Sequence, residues 1–143
     1  MKILYQGSPG AYSQLAAIEA YPDAEIIPCK TFDECFSRAH EDQNLNIIIP
    51  ESNKTTGNIG IEYLIFKYRL NIYAEHFYKI EHNLLGIPGA KIDDIKNVLS
   101  HAQGLSQCSD YIKKNNLIEN VRADTAGSAD FISKNNKISD GAI

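Results

Sequence analysis

Residues 25–50 read EIIPCKTFDECFSRAHEDQNLNIIIP, and this stretch decides the fold class. It opens with a predicted strand over 25–28 and closes with an almost fully apolar run over 45–49, which stops at Pro50. The residues between the two runs have helical periodicity. A strand, a helix and a second strand in this order predict a βαβ unit. The apolar character of 45–49 predicts a central parallel strand that is buried on both faces.

The helix of this unit is predicted over 31–42. Thr31 and Glu34 are spaced as a capping box, in which each side chain bonds the other residue's backbone N–H. Apolar residues then follow at the spacing of one helical face, at Phe32, Cys35, Phe36 and Ala39. Such a face requires a sheet to cover it, in agreement with the flanking strands.

The alternation of short apolar runs and helical segments continues along the chain. Strands are predicted over 2–6, 97–99, 120–122 and from 140 onward, extended segments over 72–79 and 82–87, and a polar turn over 51–57. Helices are predicted over 13–21, 58–68, 93–95, 102–114 and 125–134. Their inner positions are expected to be Leu15, Ala16 and Ile18, then Ile61, Leu64 and Ile65, then Leu105, Cys108 and Ile112. The predicted fold class is α/β with mixed, mostly parallel sheets.

The composition is that of an ordinary globular domain. The chain has 143 residues, of which 43% are apolar and 22% charged, and this balance excludes disordered, collagen-like and coiled-coil chains. No apolar run reaches the roughly 18 residues that span a bilayer, and the first residues lack the apolar stretch of a secretory signal. We therefore expect a cytoplasmic protein without a membrane partner.

The charge argues against a nucleic-acid partner. Fourteen Lys and Arg residues are scattered among 18 Asp and Glu residues, for a formal net charge of −4, whereas nucleic-acid binding needs a basic face. Helix N-termini nevertheless supply positive potential through their N–H groups, so an acidic protein can hold an acidic ligand.

The cysteines and histidines do not indicate a metal site. Cys29, Cys35 and Cys108 form no CxxC pair and are interpreted as reduced, structural thiols. The histidines, His40, His76, His82 and His101, are not at metal-ligand spacings. Only His101 falls in the first turn of a predicted helix, where it is either placed to meet a ligand or serves as a cap.

Four turns between a predicted strand and a predicted helix carry small or hydroxylated residues, at 7–13, 52–57, 100–103 and 124–128. Ligands of open α/β sheets bind beyond the carboxyl ends of the strands, where helix starts offer backbone N–H groups. The first turn has neither GxGxxG nor GxxxxGK[ST] spacing, so a small carboxylate suits these turns better than a nucleotide. The alternative is that Ser, Thr, Asp and Gly are simply the residues that caps and turns use.

The motifs at these turns resemble those of the prephenate dehydratase family, in the same order and along essentially the whole chain. They are YQGSPGAYS at 5–13, PCKTF at 28–32, SHAQGLSQC at 100–108 and DTAGSA at 124–129. Ala102 stands where the family usually has Pro. In PESNKTTG at 50–57, Ser52 and Lys54 stand where the family has Glu and Ser, while Asn53 is kept.

The resemblance implies a two-lobed fold similar to the type II periplasmic binding proteins. Residues 1–75 are then most of lobe one, incomplete without a returning segment, and 76–143 a truncated lobe two. In the family a Thr-Arg-Phe motif, whose Thr is implicated in catalysis, and a regulatory ACT domain follow later, beyond Ile143 in this sequence. The catalytic residue is therefore left unassigned.

The resemblance also implies a carbon–oxygen lyase of phenylalanine biosynthesis, which converts prephenate to phenylpyruvate without a cofactor or metal. The implied substrate-positioning residues are Asn53, Ser100, Gln107 and Thr125, and the implied cleft-lining residues are Ser13, Gln103 and Gly127. Prephenate or arogenate as substrate, and a homodimer or larger homo-oligomer as assembly, stay open. The alternatives are a truncated, inactive remnant, a small-carboxylate-binding module of the same fold, and a generic periplasmic-type binding lobe.

Overall fold

The computed structural model describes residues 1–53 and 57–143. The chain divides into two compact units, Met1–Ile80 (unit 1) and Glu81–Ile143 (unit 2). Each unit is built around its own three-stranded parallel sheet. The predicted α/β class with mostly parallel sheets is confirmed.

The sheet of unit 1 contains β1 (Lys2–Gln6), β2 (Glu25–Cys29) and β3 (Leu45–Ile48) in the order β2-β1-β3. Leu4 lies opposite residue 27 of β2 and residue 47 of β3. Since β1 pairs on both sides, its residues 3–5 are fully buried. The prediction that 45–49 is the central strand, buried on both faces, is wrong. Among the described residues β3 pairs with β1 alone, and its side chains are only half-buried.

The helices of unit 1 are α1 (Tyr12–Ala20), α2 (Phe32–Glu41) and α3 (Glu62–Tyr68). A short antiparallel pair, β4 (Ser52–Asn53) and β5 (Gly57–Asn58), lies where a polar turn is predicted over 51–57. The helix predicted from residue 58 begins only at residue 62, because Asn58 belongs to β5 and Gly60 has a φ of +78°. The part of the predicted turn at 54–56 lies outside the described residues.

Helix α2 is capped largely as predicted. The Thr31 hydroxyl accepts a hydrogen bond from the Glu34 N–H at 3.1 Å. The Glu34 carboxylate accepts from the N–H of Lys30 at 2.8 Å, one residue before the one that a capping box uses. Of the predicted apolar face, Cys35, Phe36 and Ala39 are buried, and Phe32 is half-buried.

Helix α1 packs through a different face from the one predicted. Its fully buried residue is Ala17, whereas Leu15 is 38% and Ile18 46% exposed. The predicted inner positions Leu15 and Ile18 are therefore wrong, and Ala16 is half-buried. The small Ala17 side chain allows the helix to lie close to the sheet, which leaves the larger residues at its flanks.

The ion pair between Asp33 of α2 and Lys67 of α3 makes the stability of unit 1 depend on pH. The hydrogen bond from Lys67 Nζ to Asp33 Oδ1, at 2.7 Å, lowers the pKa of the Asp33 carboxyl. A carboxyl whose pKa is lower when folded stabilises the fold above its unfolded-state value of about 3.9, and this contribution is lost as the pH falls through the folded-state value. We expect Asp33→Asn to lower Tm at pH 7 and to lower it by less at pH 3, below the unfolded-state pKa. Thermal melts of both proteins between these pH values measure the difference.

The matched control is Asp23→Asn, a substitution at another exposed aspartate of the same unit. It is expected to leave Tm unchanged at both pH values. A Tm difference for Asp33→Asn that is the same at pH 7 and pH 3 would contradict the assignment.

The sheet of unit 2 contains β6 (Asn97–Ser100), β7 (Ile118–Val121) and β8 (Asp140–Ala142) in the order β7-β6-β8. The central strand β6 is buried over residues 98–100, whereas β7 is exposed along its length. Leu85 makes an antiparallel bridge with Ala142, through N–H to carbonyl bonds of 2.8 and 2.9 Å. Within the described residues this bridge is the only strand pairing in 72–79 and 82–87, so the extended segments predicted there do not form strands.

The helices of unit 2 are α4 (Ala102–Gln107), α5 (Ser109–Lys114) and α6 (Thr125–Asn135), with a 3-10 helix over Ile92–Asp94. The single helix predicted over 102–114 is divided at Cys108, whose φ and ψ of −102° and 9° are not helical. Side chains of β6 alternate between two clusters, as expected for a strand covered on both faces. One cluster contains Val98, Leu105 and Ile112, and the other contains Leu99, Ile132 and Ala142.

Candidate ligand-binding site

Ser100 is the last residue of the central strand β6 and is fully buried. Its hydroxyl donates a hydrogen bond to the carbonyl oxygen of Ile143 at 2.8 Å. A buried hydroxyl without a partner would cost about 1–3 kcal/mol, so this bond fixes the side chain in one position. The middle strand of the sheet thus ends in one buried hydroxyl group whose orientation is fixed.

Gly104 brings Ser100 and Thr125 together. A Cβ atom added to Gly104 would lie 2.8 Å from Ser100 Oγ and 3.5 Å from Thr125 Cγ2. Gly104 is in α4, which follows β6, and Thr125 is the first residue of α6, which follows β7. Because β6 and β7 are parallel neighbours, their carboxyl ends meet at one edge of the sheet. We call Ser100, Gly104 and Thr125 the Ser100–Thr125 cluster.

Some N–H groups at these helix starts are used by caps. The Asp124 carboxylate accepts from the Gly127 N–H at 2.5 Å, and a Cβ on Gly127 would lie 2.8 Å from the same carboxylate. His101 Nδ1 accepts from the Gln103 N–H at 3.2 Å, so His101 serves as the N-cap of α4. Gly127 and the backbone of Gln103 therefore take part in capping, the alternative that the sequence left open for these turns.

Gln107 contacts a residue that the motifs do not include. Its Oε1 lies 2.6 Å from His82 Nε2, and because Oε1 can only accept, His82 Nε2 carries the proton. Both side chains line a cavity of about 680 Å³ in unit 2, together with Ile143. Gln103, one helical turn before Gln107, is half-buried and is not among the residues that line this cavity. No local sequence signal could have identified His82, since its partner is 25 residues away.

Two of the predicted site residues belong to unit 1. Ser13 is the second residue of α1 and is half-buried. It follows a turn in which Gly7 and Gly10 have φ values of +129° and +91°, which favour glycine. The Gly10 N–H donates to the side chain of Gln14 at 2.7 Å. Asn53 ends β4 and lies opposite Gly57 of β5.

Three further sequence expectations concern Lys54, a metal ion and a membrane span. Lys54, which departs from the motif of the prephenate dehydratase family, lies outside the described residues. Over 1–53 and 57–143, no group of three or more His, Cys, Asp and Glu side chains is arranged to hold a metal ion. In the same ranges, no helix is both long enough and apolar enough to cross a bilayer.

The two units share one architecture, a parallel sheet with polar turns after its strands. They define an α/β protein of the class in which small ligands bind beyond the carboxyl ends of parallel strands. Within this class the family is shown by comparison with known proteins. The chain belongs to the prephenate dehydratase family, whose model matches residues 3–143.

The chain is also similar to curated plant enzymes. Arogenate dehydratase/prephenate dehydratase 1, chloroplastic, of Arabidopsis thaliana is 41% identical over 146 residues. That match covers 100% of this chain and 37% of the relative. The chain therefore spans a little over a third of the length of this relative.

Solved structures agree with the fold. The structure of a protein described as GqqA, a novel type of quorum-quenching acylase, has a TM-score of 0.80 at 31% identity. The match covers 99% of this chain and 52% of that protein. The prephenate dehydratase of Staphylococcus aureus subsp. aureus Mu50 has a TM-score of 0.73 at 23% identity. That match covers 99% of this chain and 54% of the other, and at this identity it shows the fold alone.

Proposed function

We propose that this chain is the substrate-binding part of a dehydratase that converts prephenate to phenylpyruvate, or arogenate to phenylalanine. The observation that carries the proposal is the Ser100–Thr125 cluster of a family member, in which a fixed hydroxyl group ends one strand and Thr125 begins the helix after the neighbouring strand. The Arabidopsis relative is described by both substrate names, so its similarity supports either substrate. The product class is the same in both cases, an aromatic ring formed from a cyclohexadienol.

The reaction removes a carboxylate and a hydroxide from one ring, and the gain of aromaticity drives it. The protein then has to orient the substrate and supply a proton to the leaving hydroxyl group. We assign orientation to Asn53, Ser100, Gln107 and Thr125, and lining of the cleft to Ser13, Gln103 and Gly127. The hydrogen bond of Gln107 with His82 supports its assignment, because it holds the amide in one orientation beside a cavity.

The rest of the proposal follows the family resemblance. Residues 1–75 and 76–143 are assigned to two lobes of the substrate-binding domain, and the protein is assigned to the cytoplasm as a homo-oligomer. The Arabidopsis relative is described as chloroplastic, so cell fractionation is the test of location. Sedimentation of the purified chain tests its oligomeric state.

Turnover is tested with the purified 143-residue chain and each substrate at mildly alkaline pH, where spontaneous acid-catalysed loss of carboxylate from the ring is slow. Formation of phenylpyruvate or phenylalanine above that background supports the proposal. Calorimetric titration with the same two compounds distinguishes the alternatives. Binding without turnover indicates a carboxylate-binding module, and the absence of both binding and turnover indicates an inactive remnant.

An acylase activity is a second candidate, favoured by the similarity to the structure described as a quorum-quenching acylase. A nucleophilic serine needs an adjacent base. Ser100 instead donates its proton to a backbone carbonyl, which argues against that role for it. Release of free amine from an acylated quorum-signalling compound, measured beside the dehydratase assay, decides between the two activities.

A further inference from the structure

Unit 2 contains a second cavity, with a volume of about 350 Å³. Residues of all three strands and of α6 line it, together with residues that directly follow β7 and α6. This volume is near the lower end of the range of small-molecule pockets, about 300–1,000 Å³. None of the lining residues is among those assigned above to the dehydratase substrate. The second cavity therefore has the size for a small ligand of its own.

Arg122 lines the second cavity with a side chain that is held in place. Its backbone N–H donates a hydrogen bond to the carbonyl oxygen of Ser100 at 2.8 Å. Its Cζ atom lies over the Phe131 ring, 3.9 Å from the ring centre. A guanidinium group stacked on a ring still has its N–H groups at its edge, where they can bond a carboxylate in bidentate fashion. Among the described residues no group accepts a hydrogen bond from this guanidinium group, so its donors can serve a ligand.

Lys137 brings a second positive charge to the same cavity. Over 1–53 and 57–143, its ammonium group has no hydrogen-bond or ion-pair partner. Lys134 differs, because it pairs with Asp130 at 2.6 Å and does not line the cavity. Two cationic groups at one cavity favour a ligand with a negatively charged group.

The second cavity also has one buried carboxylate, that of Asp140 at the start of β8. Asp140 is only 9% exposed. Its Oδ1 accepts hydrogen bonds from Asn97 Nδ2 at 2.7 Å and from Ser139 Oγ at 3.4 Å. No donor in the described part of the chain bonds its Oδ2. Because a buried carboxylate oxygen without a donor costs free energy, a positively charged donor of a ligand would stabilise it.

We propose that the second cavity binds a free α-amino acid as its zwitterion. The carboxylate of the amino acid accepts hydrogen bonds from Arg122 and Lys137, and its ammonium group donates to Asp140 Oδ2. A simple carboxylate would leave Asp140 Oδ2 without a donor, and a simple amine would face two cations, so the cavity discriminates against both. The inference is independent of the proposed dehydratase function.

Titration of the folded 143-residue chain with L-alanine, followed in two-dimensional ¹H–¹⁵N NMR spectra, tests the proposal. Alanine is chosen because its side chain is a single methyl group, so that its two charged groups decide binding. We expect saturable shifts of the Asn97 and Asn120 side-chain amide signals, since both residues line the cavity. Propionate lacks the ammonium group and ethylamine lacks the carboxylate, so each should bind at least roughly tenfold more weakly.

Three results of this titration would overturn the proposal. The first is the absence of saturable shifts with L-alanine. The second is binding of propionate or ethylamine as tight as that of L-alanine. The third is a set of shifts at the Gly104 and Thr125 amides in place of Asn97 and Asn120, which would put the amino acid at the Ser100–Thr125 cluster instead.

Two lysines of unit 2 give a matched pair of variants, because both are exposed and only one lines the cavity. Lys137→Gln should raise the Kd for L-alanine roughly fivefold, whereas Lys134→Gln should leave it unchanged. Arg122→Gln should raise Kd roughly tenfold, because the bidentate donor is lost. Asp140→Asn should remove the preference for L-alanine over propionate. Equal Kd values for the two lysine variants would contradict the assigned carboxylate contacts. If Asp140→Asn does not fold, the comparison of L-alanine with propionate in the wild type decides the ammonium contact.

Discussion

Replacement of Gly141 by valine is expected to destabilise unit 2 strongly, so that its core amides exchange roughly a hundredfold faster than in the wild type. A Cβ atom at this position would lie 2.9 Å from Leu84 Cδ1 and 3.0 Å from Ile95 Cγ2. It would also lie 3.2 Å from the carbonyl oxygen of Leu85, a backbone atom that cannot rotate away. Valine adds two further methyl groups to this space.

The expected loss follows from overpacking and from the neighbouring bridge. Overpacking of a core costs about 1–3 kcal/mol. Separation of Leu85 from Ala142 breaks two backbone hydrogen bonds, worth about 0.5–1.5 kcal/mol each. The overpacking cost and the two lost hydrogen bonds together are a large part of the free energy of unfolding, roughly 3–9 kcal/mol, of a unit of about 60 residues.

Hydrogen exchange of the β6 amides measures this loss. We expect exchange roughly a hundredfold faster in Gly141→Val than in the wild type, because each 1.4 kcal/mol changes an opening equilibrium about tenfold. The control is Ile138→Val, at a half-exposed position shortly before β8, which should change stability by less than about 0.5 kcal/mol. Wild-type exchange rates in Gly141→Val would show that β8 has room for a side chain, and would contradict the packing described.

Local signals predicted the parts of the fold that depend on neighbouring residues. The strand at 2–6 was predicted with the observed ends, and α2 agrees to within a residue at each end. The cap at Thr31 and the buried face of α2 depend on residues within a few positions of one another, and both can be read from the sequence.

Features that depend on distant residues could not be predicted in the same way. The run over 45–49 is more apolar than β1, yet β1 is central because it pairs with strands that follow it on both sides. An apolar run alone does not state the order of strands in a sheet. The faces of helix α1 differ little in hydrophobicity, because alanines and larger apolar residues are spread around the helix. The sequence therefore led to a wrong prediction of its buried face.

In the candidate site, too, features set by neighbouring residues could be predicted and contacts between distant residues could not. Ser100, Gln107 and Thr125 were assigned from motifs, and the sequence could not state their contacts. The structure places Ser100 and Thr125 on either side of Gly104, and it places Gln107 with His82 at a separate cavity. The turn motifs contain no signal for His82, whose partner Gln107 is 25 residues away. They contain none for the contact of Gly104 with Thr125, which belongs to the next motif along the chain.

Replacement of Gly104 by alanine is expected to lower kcat/KM about a hundredfold in whichever dehydratase assay gives product. The added Cβ would lie 2.8 Å from Ser100 Oγ, so the hydroxyl has to move. A displacement of about 1 Å in a positioning group can cost about two orders of magnitude in rate. Thr125 Cγ2, at 3.5 Å from the same Cβ, is at ordinary contact distance and should stay in place.

Stability should change much less than activity in this variant. Alanine favours a helix over glycine by about 1 kcal/mol, which offsets part of the cost of displacing a buried hydroxyl from its bond with Ile143. The control is Ser106→Ala, at an exposed position of the same helix, which is expected to retain wild-type kcat/KM. Measurement of kcat/KM beside a denaturation curve separates a site effect from unfolding. Wild-type activity in Gly104→Ala would show that the Ser100 hydroxyl does not orient the substrate, because no other described group would have been moved by the added methyl group.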